Sequence, residues 1–189
     1  MVAVPEGEEG VESELEECDE EIEVEENDPE ITLNALLGSP TPKTMRVTSN
    51  IKQKKAVVLL DTGSTHNFLD WKLARNLKLT IDTSKTFKVK VANVAVINTK
   101  GEIKGLLVEI QGHQFQIDFS LLELGGSGVV LGTQWLRTLG VISWDFEKLE
   151  MGFTHQGKKV LLQRMKTGKS SIQGSKEFAR RSPTQGLLL

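Results

Sequence analysis

Asp61-Thr62-Gly63-Ser64 is the stretch of this chain whose residue types and spacing could do chemistry. It follows the apolar run Ala56-Val57-Val58-Leu59-Leu60, so a carboxylate stands at the end of a segment that reads as a buried strand. Gly63 allows a tight turn that brings a backbone N–H towards the acid, and the Ser64 hydroxyl can hydrogen-bond its oxygens. One aspartate held in this way can orient a water. It cannot also donate a proton to a leaving group, which takes a second acid close enough for the pair to share a proton.

No second acid is evident in the chain. Asp70, Asp82, Asp118 and Asp145 all lack the turn that surrounds Asp61. A two-fold axis beside Asp61 would supply the missing carboxylate from an identical copy, so catalysis by this motif requires a homodimer with one site between the subunits. The other candidate groups point nowhere. His66, His113 and His155 show no metal spacing, and Cys18 alone excludes an internal disulfide or a cysteine-rich zinc site. His66 reads as structural, and Trp71, Trp135 and Trp144 read as core or dimer packing.

The elements that must position Asp61 are short strands. Met45 to Ile51 alternates with period two, and Phe87, Val89 and Val91 alternate with Lys88 and Lys90. Leu106 to Ile110 and Phe115 to Phe119 flank Gln111-Gly112-His113-Gln114 as a hairpin. Val129-Val130-Leu131, ending at Gly132, is a second buried strand. Val141 to Phe146 and Leu149 to Phe153 complete the β-rich body. Two short helices are expected. The first carries Phe68, Leu69, Leu73 and Leu77, with Ser64, Thr65 or Asn67 as cap; the second is capped by Thr133 and closed by Gly140.

Charge divides the 189 residues sharply. Residues 1–30 hold 15 of the 26 acidic residues and no Lys or Arg, whereas the remainder carries 11 acidic and 23 basic residues. Like-charge repulsion and low apolar content make 1–30 an expected disordered acidic linker. Residues 163–189 form an expected disordered basic tail that could make weak contact with nucleic acid through phosphates. Between them lie a connecting segment, 31–43, and one domain, 44–162. No apolar run approaches the roughly 18 residues of a membrane helix, and the acidic N-terminus is unlike a secretory signal. An intracellular, cytoplasmic protein without membrane contact is the expectation, the nucleus remaining open.

Asp-Thr/Ser-Gly alone is weak, arising by chance in on the order of one chain in ten of this length. Joined to the rest it is specific. Ile31-Thr32-Leu33-Asn34-Ala35-Leu36 and Thr41-Pro42-Lys43-Thr44-Met45-Arg46 resemble the lead-in to the protease region of plant gypsy-type retrotransposon polyproteins. Asp61-Thr62-Gly63-Ser64-Thr65-His66-Asn67-Phe68 resembles that family's active-site stretch. Val130-Leu131-Gly132-Thr133-Gln134-Trp135-Leu136, Leu139-Gly140 and Trp144-Asp145-Phe146 resemble its C-terminal signature.

The resemblance implies a retropepsin-like closed β-barrel, all-β with two short helices, forming half of a two-fold aspartic protease dimer. It implies that Asp61 is the catalytic acid/base, that Thr62 braces the two loops of the dimer, that Gly63 shapes the turn and that Ser64 steadies the carboxylate. Val130, Leu131 and Gly132 would support the loop. Ala92, Asn93 and Val94 would form the tip of a flap over a polypeptide substrate, with Val94 where the family has glycine. No cofactor is implied. An inactive, protease-like dimerisation or peptide-binding domain from a decayed element is the alternative.

Overall fold

The computed structural model describes residues 28–39, 44–92, 95–126 and 128–166. The expected acidic linker lies outside them except for its last three residues, and so do most of the basic tail, Cys18 and the flap-tip residues Asn93 and Val94. In chain order the elements are β1 (Glu30–Ile31), α1 (Leu33–Leu37), β2 (Met45–Ile51), β3 (Lys54–Leu60), β4 (Phe68–Asp70), α2 (Trp71–Asn76), β5 (Lys88–Val91), β6 (Ala95–Asn98), β7 (Glu102–Ile110), β8 (His113–Leu122), β9 (Val129–Leu131), α3 (Thr133–Leu136), a 3-10 turn at Arg137–Leu139, β10 (Ser143–Asp145), β11 (Glu150–His155) and β12 (Lys158–Gln163).

Six strands close a barrel in the order β2-β3-β9-β4-β8-β7, with β2 meeting β7 at Ser49–Ile110 and Asn50–Glu109. The mostly β architecture and closed barrel are those expected. At the centre, β3 runs parallel to β9, and β9 runs antiparallel to β4. Where they pair, Val58 to Leu60, Phe68-Leu69 and Val129 to Leu131 are apolar without interruption because both of their faces are covered. Val58, Leu60, Leu69, Val129 and Leu131 point into the barrel, whereas Leu59, Phe68 and Val130 point into a second, smaller apolar cluster on the other side.

Two small sheets flank the barrel, β1-β5-β6 and β10-β11-β12. The β7–β8 hairpin turns tightly at Gln111-Gly112, both with positive φ, as the strand twist prefers. The last sheet packs Met151, Phe153, Val160 and Leu162 on the barrel core.

Three local expectations are corrected. Phe68 and Leu69 lie in a strand, pointing to opposite faces, so the first helix begins only at Trp71; its cap is Asp70, whose Oδ1 accepts from Leu73 N at 2.8 Å. Thr133 is the first residue of α3 and not its cap; Gly132 takes that position, and the Thr133 hydroxyl donates instead to the Thr65 carbonyl at 3.2 Å. A further strand, β12, follows the last one expected, and residues 31–39 of the expected connecting segment carry Ile31 of β1 and all of α1.

Candidate active site

Asp61 follows directly on β3, and its N–H donates to the Leu131 carbonyl at 3.0 Å, which carries the β3–β9 pairing one residue further. The carboxylate accepts three hydrogen bonds. Gly63 N–H donates to Oδ1 at 3.1 Å; the Ser64 hydroxyl donates to Oδ2 at 2.8 Å, and the Thr32 hydroxyl donates to the same oxygen at 2.6 Å. A carboxylate offers about four acceptor positions, so Oδ2 is saturated and the open one is on Oδ1. Asp61 is half-buried, Ser64 is fully buried, and Thr62 and Gly63 are exposed beside the acid.

The loop is held from behind by the turn after β9. Thr133 N–H donates to the Ser64 carbonyl at 2.8 Å and Gln134 N–H to that of Thr65 at 3.0 Å. The buried Asn67 ties the two loops together, its Oδ1 accepting from Gly132 N at 3.2 Å while its Nδ2 donates to the Asp118 carbonyl at 3.2 Å. Gly132 is required by space. A Cβ there would stand 2.4 Å from the carbonyl oxygens of Ser64 and His66.

The residues singled out in the sequence are thus partly united. Asp61, Gly63 and Ser64 form one hydrogen-bonded loop, with Leu131 and Gly132 behind it and Val130 in the apolar cluster alongside. Ala92 follows β5 in a left-handed conformation, φ +39°. Asp70, Asp82, Asp118 and Asp145 are engaged elsewhere: Asp70 caps α2 and accepts from Leu124 N, Asp82 accepts from Ser84, Asp118 from Gly105 N, and Asp145 from Glu147 and Lys148 N. None of these four carboxylates is hydrogen-bonded within the Asp61 loop. Among the described residues no group of three His, Cys, Asp or Glu could hold a metal ion.

His66 packs 5.5 Å from the Phe87 ring, and its Nδ1 lies 2.8 Å from the Thr65 hydroxyl. Burial pushes its pKa below the ordinary 6.5. Trp135 is buried in the barrel core, and Trp71 and Trp144 pack against it.

Thr32 and Asn67 make hydrogen bonds at the Asp61 loop that the sequence alone does not assign. In the sequence Asn67 reads as a helix cap and as a member of the stretch Asp61 to Phe68 that resembles the family's active site. Thr32 did leave a signal, since Thr-Leu-Asn-Ala is a capping pattern; its hydroxyl accepts from Ala35 N at 3.1 Å while donating to Asp61.

Residues 57–158 match the family model described as PEG10/RTL1 protease domain. The chain belongs to the PEG10/RTL1 protease domain family. A retropepsin-like reading of the barrel and its Asp61 loop therefore has family support, whereas a plant gypsy origin is not part of that match. Among solved structures the chain is similar to the retroviral protease-like domain of Ddi1 from Leishmania major, with 15% identity over 66% of this chain and 95% of that one and a TM-score of 0.53. At that identity the likeness concerns the fold. No curated protein matches the chain.

Proposed function

We propose that the protein is an aspartic endopeptidase of gypsy-type retrotransposon origin, working as a homodimer on extended polypeptide segments. The observation that carries this reading is the Asp61 carboxylate, held by Gly63 N–H and the Ser64 hydroxyl, beside the exposed Thr62 and Gly63 through which a second copy can approach. In the dimer one Asp61 is ionised and takes a proton from a water, which attacks the scissile carbonyl. The other, protonated Asp61 gives its proton to the leaving nitrogen. Thr62 braces the paired loops, Val130, Leu131 and Gly132 back them, and the hairpin tip at Ala92, Asn93 and Val94 covers the substrate. Residues 44–162 are the catalytic body in this reading, and the basic C-terminal tail makes weak contact with nucleic acid. The site of action is intracellular; among the described residues no helix is long and apolar enough to cross a membrane.

A panel of labelled peptides at acidic pH tests this. Wild-type protein should cleave a subset, and Asp61→Asn should abolish cleavage while leaving the dimer intact by sedimentation equilibrium. Wild-type protein that dimerises and cleaves nothing removes the catalytic part. That outcome favours the second reading, an inactive peptide-binding descendant, which the Thr32 hydroxyl already seated on Asp61 supports.

A further inference from the structure

The apolar cluster that fills the barrel contains no residue from 28–39. The second cluster is built around two of them. Ile31 and Ala35, both fully buried, sit among Leu59, Phe68 and Val130 from the outer face of β3-β4-β9, Leu122 from β8, and Val89 and Val91 from the β5–β6 hairpin. Without the upstream segment this face is an apolar floor lying between the hairpin and Asp61.

The segment is bound there as a strand. On one side β1 adds in parallel to β5, Glu30 opposite Lys90 and Ile31 opposite Val91, with Lys90 N–H donating to the Pro29 carbonyl at 2.8 Å. On the other side Thr65 N–H donates to the Glu30 carbonyl at 2.9 Å, and Glu30 N–H donates to the Thr65 hydroxyl at 2.7 Å. Next along the chain, the Thr32 hydroxyl rests on the Asp61 carboxylate. Main-chain bonds on both edges, an aliphatic side chain in a pocket and a polar group at the acid together form the pattern of peptide recognition by strand addition.

From this we infer that residues 29–32 are a self-ligand, lying in the groove that receives a substrate peptide and keeping the site occupied until a substrate displaces them. The inference rests on the proposed reading of Asp61 as the hydrolytic centre. The segment is an inhibitor in this pose and not a substrate. Its extended run stops at Thr32, where the chain turns into α1, and the proton facing Asp61 is that of the Thr32 hydroxyl instead of a water's. The same contacts name the substrate class: an extended peptide with an aliphatic residue just before the one at the acid. An acidic residue three positions upstream of that aliphatic residue completes it, because Asp28 is ion-paired with Lys90.

The test reads binding and cleavage separately in the full chain. In an Asp61→Asn background, a fluorescent peptide spanning residues 28–34 is titrated against chains with and without Ile31→Glu, and with the milder Ile31→Ala. Emptying the groove should make the peptide bind about ten-fold tighter, and a peptide with Glu in place of Ile should bind neither chain. With Asp61 restored, Ile31→Glu should raise kcat/KM by about the same factor. Unchanged peptide binding overturns the inference; so does loss of the barrel's cooperative unfolding in both Ile31 variants, because the barrel core would then depend on the segment. Tighter binding with no cleavage by any form sinks the hydrolase and spares the self-ligand, whereas cleavage with unchanged binding does the reverse.

Discussion

The carbonyl oxygen of Ser64 lies 2.4 Å from where a Cβ on Gly132 would stand, so the loop that carries Asp61 and the turn after β9 touch with no room for a methyl group. The backbone of Gly132 is extended at φ -94°. Its role is closeness of approach and not conformational freedom. Gly132→Ala must push the two loops apart, and overpacking of this kind costs about 1–3 kcal/mol. A lowered thermal midpoint and lost cleavage are expected. An unchanged midpoint would show that the loops can separate freely, contrary to the hydrogen bonds that join them.

Asn67 is the second tie between these loops. Asn67→Ala leaves Gly132 N–H without its acceptor in buried surroundings and the Asp118 carbonyl without its donor in partly buried ones. Each stranded group costs about 1–3 kcal/mol. Urea unfolding should show a lower midpoint at unchanged slope, and kcat/KM should fall about ten-fold or more because Asp61 is no longer held in place.

Burial of His66 gives stability a definite pH dependence. Its pKa in the folded protein lies below 6.5, so between that lower value and 6.5 the unfolded chain binds more protons than the folded one. Stability therefore rises with pH across that window and falls on acidification through 6.5. His66→Gln should remove this component. Thermal midpoints measured from pH 8 to pH 5 should slope for wild type and be flatter for the variant; parallel curves would contradict the assignment.

At lower pH the Asp118 carboxylate contributes. The Gly105 N–H at 2.7 Å, aided by Lys104, holds its pKa below 3.8 against the opposing effect of burial. Its stabilisation is complete above 3.8 and lost as pH falls through the lower folded value. Asp118→Asn should weaken the acid dependence of unfolding below about pH 4, modestly because the group is partly exposed.

Much of this was legible where sequence pattern and burial coincide. β3 and β9 could be read because Val58 and Leu60, like Val129 and Leu131, face the barrel while Leu59 and Val130 face the second cluster, leaving an unbroken apolar run. The first helix was misplaced because Phe68 and Leu69 keep helical spacing with Leu73 and Leu77, yet in the sheet they point to opposite faces. β12 buries only Val160 and Leu162, too few for a period to stand out. The upstream segment was hidden for a different reason. β1 is two residues long, and its bonds reach Thr65 and, through Thr32, Asp61, 29 to 35 residues away, where no local pattern reports them.

That two Asp61 side chains, one from each copy, must act together is tested most directly by mixing wild-type and Asp61→Asn chains at fixed total concentration, after exchange, and following peptide cleavage. Each mixed dimer holds one carboxylate and is inactive, so activity should fall as the square of the wild-type fraction, to about a quarter in an equal mixture. A linear fall, to about half, would mean that each chain cleaves alone and would contradict the account.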